Sequence, residues 1–433
     1  MIYSNRIFEY TFLSKKCSSQ YAKSLYLCTF KIYPLVETLI NTYRKKIEQT
    51  DNEFVRYLMP NVNWDNRLFA VIGARGTGKT TLLLQYIKQN LDVSQAFYMS
   101  LDDLYFSTNR LVDVVRKLWQ EGVTHFFIDE VHKYPYDTWA QELKNIYDSY
   151  PQAKVAFSGS SILNIYKGNA DLSRRAISYE LFGLSFREFL EFEGIKKIAT
   201  ISLDDLLKNH VSIASEIIRD LQILPLFRKY LQSGYFPYYK EDLPTYRLRL
   251  LNTVNAVLET DLPAVEKVEF VTIQKLKRLL AVISGMTPFT PNMSQLGIQV
   301  EIQRSNLLKS LELLERSRLL GLLRNPSKNL QYLSKPAKIF LDNPNLAYSL
   351  GENNTNIGNL RETFFFNQLR VIGKVEDATQ GDFIVNDKYV FEVGGSGKKF
   401  TQIADLPDSY LAIDDAEMGF GSKIPLWMFG LLY

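Results

Sequence analysis

Residues 73–80 read GARGTGKT and set three glycines, a lysine and a threonine at fixed spacing. An apolar segment, RLFAVI, precedes them, and a segment with helical periodicity, TLLLQYIKQNL, follows. Glycines in such a loop let backbone N–H groups wrap around phosphates, and the N-terminus of the next helix adds positive potential. The strand, loop and helix therefore predict a phosphate-binding loop (P-loop) of the pattern G-x-x-x-x-G-K-[ST].

Two side chains of this loop have specific expected roles in binding ATP. Lys79 should reach the β- and γ-phosphates, and the Thr80 hydroxyl should bind Mg²⁺. A glycine-rich turn before an ordinary helix is the alternative, which the correct flanking segments disfavour. The residues predicted to contact the nucleotide are Gly73, Ala74, Arg75, Gly76, Thr77, Gly78, Lys79, Thr80 and Thr81.

A second apolar segment, GVTHFFIDEVHKY, ends in two acids about fifty residues after the P-loop. Its run of apolar residues is typical of a buried parallel strand. At the end of such a strand, Asp129 should hold the hydration shell of Mg²⁺ and Glu130 should polarise the attacking water. Because binding alone would not need Glu130, the pair predicts hydrolysis as well as binding.

A third strand is predicted within KVAFSGSS, which ends in hydroxyl side chains. Ligands of parallel sheets lie at the carboxyl ends of the strands, so Ser158 or Ser160 would contact the γ-phosphate region. Equally, Ser160 or Ser161 would cap a helix that begins directly afterwards.

Adjacent arginines, Arg174 and Arg175, precede a predicted fifth strand, AISYEL. An arginine finger at this place would stabilise the charge that develops on the γ-phosphate of a neighbouring subunit, which requires a homo-oligomer. The alternative is a solvated basic turn that pairs with nearby acids.

Several segments in order resemble successive motifs of the AAA+ ATPases that are widespread in bacteria and archaea and carry a C-terminal domain. They are GARGTGKT, YMSLDDLYF, HFFIDEVHKYPYDTWAQELKNIYDSYP, AFSGSS, DLSRRA and LSFREFL. The resemblance covers roughly residues 30–433. It implies an α/β fold with an αβα ATPase core, a sensor at Ser158 and a finger-like role for Arg174 or Arg175. Asp102 and Asp103 follow the second strand in the family's manner, without a predicted chemical role.

The region after the core reads as helices, followed by a short helix, a long helix and a hairpin. The first part resembles the helical lid of an AAA+ protein, and the second has the order of a winged helix. Arg304 and Lys309 on its long helix would contact DNA or RNA phosphates, or this surface packs within the protein. The predicted divisions are 1–30 (an unassigned arm), 31–189 (ATPase core), 190–265 (lid), 266–345 (winged helix) and 346–433 (C-terminal domain).

The last division places an acid on a helix, Glu362, and two acids on a predicted hairpin, Asp382 and Glu392. This order resembles the restriction-endonuclease-like PD-(D/E)xK fold, in which such acids hold Mg²⁺. In that fold a lysine lies two residues after the second acid, on the same face of the strand.

Here that position is Gly394. Lys398 or Lys399 would substitute only through a glycine-rich linker, which is a poor support for a catalytic ammonium. We therefore expect a binding or regulatory domain that keeps the nuclease fold, with an active nuclease as the alternative.

Composition limits the remaining possibilities. The 433 residues are 46% hydrophobic and 23% charged, with a net charge of +4, as in an ordinary soluble protein. Two cysteines and three histidines disfavour a disulfide framework or a zinc site. Neither a membrane-spanning run nor a secretory signal is apparent, so we expect a cytoplasmic location. The leading hypothesis is an ATP-driven switch; the alternatives are an ATP-regulated nuclease and a non-catalytic ATP-binding interaction module.

Overall fold

The computed structural model describes residues 37–161, 172, 174–266, 268–326, 335–351 and 357–433. The predicted arm at residues 1–30 lies outside this set. Residues 162–171 also lie outside this set, and the helix that Ser160 or Ser161 would cap in the alternative interpretation falls within them. Within the described ranges, no helix is long and apolar enough to cross a membrane.

A five-stranded sheet forms the first part of the fold, with strand order β2-β3-β4-β1-β5. All of its neighbouring strands are parallel. Its strands are β1 (Leu68–Gly73), β2 (Ala96–Ser100), β3 (His125–Asp129), β4 (Lys154–Ser160) and β5 (Ile177–Glu180). The helices of this part are α1 (Glu37–Gln49), α2 (Lys79–Asn90), α3 (Leu111–Gln120) and α4 (Trp139–Ser149). The α/β fold with a P-loop core is thereby confirmed at this level.

The apolar strands of this sheet form its buried centre, and the strand order determines which loops lie next to one another. Every residue of β1 is buried, as a central parallel strand requires. Strand β4 lies between β1 and β3, so the carboxyl ends of the three strands meet at one edge. The P-loop, Asp129 and Ser158 therefore converge there.

Helices form the middle of the chain. They are α5 (Phe186–Phe192), α6 (Leu203–Ile218), α7 (Ile223–Ser233), α8 (Tyr246–Ala256), a π-helical turn (Val257–Asp261) and α9 (Leu262–Val265). Ser185 begins α5 with a complete capping box, in which its side chain and that of Glu188 bond each other's backbone N–H groups. The segment GYFPYYK, whose sequence predicts an aromatic turn between helices, contains a 3₁₀ turn at Pro237–Lys240.

Three further helices and a hairpin follow in the predicted order. They are α10 (Phe270–Ser284), α11 (Met293–Val300), α12 (Arg304–Arg316), β6 (Leu320–Leu323) and β7 (Lys338–Leu341), with β6 and β7 antiparallel. The hairpin joins the C-terminal part, because the Asp377 N–H donates to the Arg324 carbonyl at 2.9 Å.

The C-terminal part contains a second five-stranded sheet of order β12-β11-β10-β9-β8. Its elements are α13 (Pro344–Leu350), α14 (Ile357–Ile372), β8 (Val375–Asp377), β9 (Phe383–Val385), β10 (Tyr389–Gly394), β11 (Ser409–Ile413) and β12 (Lys423–Pro425). A 3₁₀ helix, Leu426–Leu431, follows. The sequence KKFTQIADL after β10 predicts a helix before the next strand, but this segment forms turns, because only Ile403 is buried between residues 396 and 408 and no apolar face exists to dock a helix.

Candidate functional site

The P-loop connects β1 to α2 and holds its lysine inside the loop. Gly76 and Gly78 have φ angles of 86° and 93°, which L-residues with side chains rarely adopt. The Lys79 ammonium donates to the carbonyls of Gly73 and Ala74, each at 3.0 Å. Burial lowers the pKa of Lys79, although the nearby Glu130 and Asp129 oppose this effect. The loop thus presents a desolvated cation to a phosphate ligand.

Asp129, at the end of β3, forms hydrogen bonds with three side chains of the site. The Thr80 hydroxyl donates to one carboxylate oxygen at 2.6 Å, and the Tyr98 hydroxyl donates to the same oxygen at 2.7 Å. Ser158 bonds the other oxygen. A threonine hydroxyl beside a carboxylate is a donor set of oxygen atoms, which fits Mg²⁺.

Glu130 follows Asp129 in a left-handed conformation, with φ of 54°. Such a conformation is uncommon for a residue with a side chain and is frequent at functional sites. Its N–H points to the Ser158 hydroxyl at 3.3 Å. Ser158 therefore contacts the Asp129 carboxylate and the backbone N–H of Glu130, and its predicted contact with the γ-phosphate stays a prediction.

A cleft of about 590 Å³ opens beside the P-loop. Glu130, Lys79 and Thr80 line its polar side. Aromatic side chains line another side: Phe54, Phe192 and Tyr238. This volume is within the range of cofactor pockets, and flat apolar rings beside a phosphate loop suit a nucleotide base.

Two residues of the helical region after the core contact the P-loop. A β-carbon on Gly76 would lie 2.5 Å from the ring of Tyr238, so the ring packs directly on this glycine. Arg75 donates to Asp261 of the π-helical turn at 3.0 Å. Asp261 is buried, and Lys133 and His132 also lie within 4 Å of its carboxylate, at 3.3 and 3.7 Å.

Arg56 fastens the other side of the P-loop. Its buried guanidinium pairs with Glu188 at 3.1 Å and donates to the carbonyls of Thr77, Phe182 and Gly183. Burial alone would lower the pKa of Arg56, but the Glu188 carboxylate raises it above its ordinary value.

The predicted arginine finger is not part of the cleft of its own chain. Arg174 is exposed, and Arg175 pairs with Asp148 at 3.2 Å. Neither side chain lines the cleft. Asp103 caps a 3₁₀ turn by accepting from the Tyr105 N–H, which gives this acid a structural role.

Reasoning from sequence missed seven residues that the structure places around the cleft and the P-loop: Phe54, Arg56, Tyr98, His132, Phe192, Tyr238 and Asp261. Tyr98 carries the only usable signal, because it lies within the second strand of a predicted parallel sheet, whose carboxyl end must approach the site. The contacts of Tyr238 and Asp261 arise from the packing of helical segments far along the chain.

The predicted C-terminal acids, Glu362, Asp382 and Glu392, lie close to lysine side chains and pair with them. Lys338 on β7 lies 2.7 Å from Glu362 and 3.8 Å from Asp382, and Lys398 lies 2.8 Å from Glu392. Burial raises the pKa of Glu362, which Lys338 opposes and the charge of Asp382 reinforces. Among the described residues, no group of three or more Asp, Glu, His or Cys side chains has an arrangement that would hold a metal ion.

Of the two lysines that could substitute at the Gly394 position, Lys398 reaches the acid across the glycine-rich linker. A β-carbon on Gly394 would lie 2.6 Å from the Lys398 side chain, so the glycine makes room for that lysine to cross the strand end. Lys399 is exposed. On α12, Arg304 and Lys309 are also exposed.

Comparisons with known proteins agree with the geometry of the P-loop. Residues 65–190 match the family described as an AAA domain, and residues 224–357 match a domain of unknown function (DUF8612). The uncharacterized protein MJ1637 of Methanocaldococcus jannaschii is 25% identical over 305 residues, which are 65% of this chain and 62% of that relative. The chain thus spans less than two thirds of the relative's length.

Among solved structures, a chain from work on the structural basis for katanin self-assembly matches with 16% identity and a TM-score of 0.27. The match covers 45% of this chain and 82% of that chain. The AAA-domain match and the geometry of the P-loop together support a nucleotide-binding protein of the AAA type.

Proposed function

We propose that this protein binds and hydrolyses ATP and uses the nucleotide state to change how its lid and C-terminal part are held. The observation that carries the proposal is the set of contacts around Asp129. This carboxylate joins the P-loop, through Thr80, to β2 and β4, through Tyr98 and Ser158. Glu130 stands beside it at the cleft.

Each residue of the set has a role in this proposal. Lys79 and the loop N–H groups bind the β- and γ-phosphates, and Thr80 and Asp129 would hold Mg²⁺, which neutralises phosphate charge when bound. Glu130 accepts a proton from the water that attacks the γ-phosphate. Phe54 and Phe192, whose ring centroids are 5.0 Å apart, cover the nucleotide base.

A buried chain of contacts supports coupling between the P-loop and the C-terminal part. Arg56 bonds both the Thr77 carbonyl and Glu188 of α5. At the start of α5, the Ser185 hydroxyl donates to the main-chain oxygen of Tyr433 at 2.7 Å. The Tyr433 hydroxyl in turn accepts from Gln368 of α14 at 3.3 Å. A shift of the P-loop on binding phosphate would therefore change the position of α14 through these contacts.

The test of binding compares Lys79→Ala with Lys117→Ala, a change at an exposed lysine on α3. We expect Lys79→Ala to lose ATP binding, measured by titration with a fluorescent nucleotide, while Lys117→Ala binds as the wild type does. Equal affinity of all three proteins for ATP would contradict the proposal. Adding DNA and RNA to parallel turnover assays tests the proposed contacts of Arg304 and Lys309.

A second candidate, Mg²⁺-dependent cleavage of nucleic acid at Asp382 and Glu392, is favoured by one observation. The Lys398 ammonium reaches Glu392 although position 394 is glycine. As arranged, however, the acids do not fit a metal, because Lys338 holds Glu362 and lies near Asp382. The leading proposal therefore treats this part as non-catalytic.

A gel assay separates the two candidates. An active nuclease would cut DNA or RNA with Mg²⁺, and Asp382→Asn and Lys398→Met would abolish cutting while Lys399→Met would not. Intact nucleic acid with the wild type would eliminate this candidate. The interaction-module alternative predicts ATP binding with scarcely any turnover. The domain divisions and the in-trans role of Arg174 or Arg175 in a homo-oligomer remain part of the proposal.

A further inference from the structure

His132 lies between two carboxylates that belong to different parts of the fold. Its Nε2 is 3.3 Å from Glu130 Oε2, at the end of β3, and 3.7 Å from Asp261 Oδ1, on the lid. The ring is almost fully buried, with 1% of the side chain exposed.

The proton of the imidazole is on the nitrogen that faces these acids. The Ser160 N–H points to Nδ1 at 3.3 Å, so Nδ1 accepts and Nε2 of the neutral ring carries the hydrogen. Yet Nε2 completes no hydrogen bond with any described residue. A buried donor without a hydrogen bond is unfavourable, so a small movement toward either acid is favoured.

Asp261 is held in place by the nucleotide-binding loop. Arg75 of the P-loop donates to it at 3.0 Å, and Lys133 lies 3.3 Å from the same oxygen. Asp261 also closes the π-helical turn Val257–Asp261, a type of irregularity that often occurs at functional sites. The position of this carboxylate therefore depends on contact between the lid and the P-loop.

We propose that Asp261 is a positioning residue that controls the general base Glu130 through His132. With the lid docked on the P-loop, as in this structure, Asp261 lies close enough to compete with Glu130 for the Nε2 hydrogen, and His132 completes a hydrogen bond to neither acid. When the lid withdraws, this competition is lost, and the hydrogen binds Glu130 and weakens it as a base. Hydrolysis is thereby favoured while the lid is docked; this inference rests on the proposed ATP hydrolysis.

The test is a cycle of steady-state turnover measurements on the full chain with Mg²⁺-ATP, using Asp261→Asn in two backgrounds. His132→Asn is the second background, because asparagine can keep an acceptor near Nδ1 for Ser160 but lacks Nε2. We expect Asp261→Asn to lower kcat roughly 5- to 20-fold in the wild type, within the range of measured site couplings. In the His132→Asn background, which retains turnover, the same change should leave kcat within about twofold because the connecting donor is gone.

A matched control is Glu259→Gln, which makes the same acid-to-amide change on the same turn. Glu259 pairs with Lys277 at the surface and is 52% exposed, so its loss should leave kcat and KM unchanged. If Asp261→Asn does not fold, as judged by circular dichroism, Lys133→Met removes an anchor of Asp261 and should lower kcat with the same dependence on His132.

Three results would overturn the inference while leaving ATP hydrolysis intact. They are an equal loss of kcat in both backgrounds, a change in KM alone, and a His132→Asn variant without turnover. Absent turnover by the wild type would instead overturn the proposed hydrolysis and this inference together.

Discussion

The buried pair of Arg56 and Glu188 offers a sharp test of how the P-loop is anchored. The two side chains are 5% and 0% exposed, and they join segments 132 residues apart. Replacing Arg56 by methionine would leave the Glu188 carboxylate buried without its cation. It would also remove the donor from the carbonyls of Thr77, Phe182 and Gly183.

The expected loss of unfolding free energy in Arg56→Met depends on the contacts that Glu188 keeps. Breaking a buried ion pair by removing one partner typically costs about 3–5 kcal/mol. Glu188 keeps two backbone donors, the N–H groups of Tyr57 and Ser185, which places the expected loss for Arg56→Met near the lower end of that range. Adding Glu188→Gln removes the unpaired charge, so the double variant should be less destabilised than the sum of the single changes.

Denaturation by guanidinium, followed by tryptophan fluorescence, measures this loss. Three of the four tryptophans, Trp64, Trp119 and Trp139, lie in the first part of the fold, so the signal reports mainly on it. The control is Arg228→Met, which breaks an exposed pair with Asp415 and should change stability by at most about 1 kcal/mol. A loss below about 1 kcal/mol for Arg56→Met would refute the reasoning, because it would show that Glu188 is not a buried charge dependent on Arg56.

Three further predictions concern the same site. Gly76→Ala should lower the free energy of unfolding in guanidinium by about 1–3 kcal/mol because of the positive φ at this position. In a Tyr238→Ala background the loss caused by Gly76→Ala should be smaller, because the new β-carbon no longer meets the tyrosine ring. Tyr98→Phe removes a donor to the buried Asp129 and should cost about 1.5–3 kcal/mol in the same assay; an unchanged midpoint would contradict the contact. Burial would raise the pKa of Asp261, but the adjacent His132 and the charges of Lys133 and Arg75 lower it overall. The stabilising effect of the Asp261 carboxylate is therefore full above about pH 4 and is lost as the pH falls through its folded-state pKa. The difference in Tm between the wild type and Asp261→Asn should accordingly shrink from pH 6 toward pH 3. A difference in Tm that stays constant over this range would contradict the lowered pKa.

Local patterns of sequence were enough to predict the P-loop and its surroundings. Glycines with positive φ, a lysine and a threonine occur at fixed spacing between an apolar strand and a helix, so the structure there depends on neighbours along the chain. Asp129 and Glu130 were predictable for the same reason, because a buried strand must end where its apolar run ends.

Contacts that depend on packing were not predictable. Arg75 and Asp261 are 186 residues apart, and no local pattern indicates that the π-helical turn will contact the P-loop. The role of Gly394 shows the same limit. As a motif position it indicates a missing lysine, but in three dimensions its lack of a side chain makes room for Lys398.

The central claim is tested most directly by ATP turnover of the wild type and Glu130→Gln, with nucleotide binding measured on the same samples. We predict turnover by the wild type and a loss of roughly 10²- to 10⁴-fold in Glu130→Gln, because a general base contributes about that much. Binding of ATP should persist in the variant, since its P-loop is unchanged. Equal turnover by the two proteins, or no turnover by the wild type despite bound Mg²⁺-ATP, would contradict the assignment of this site as an ATPase.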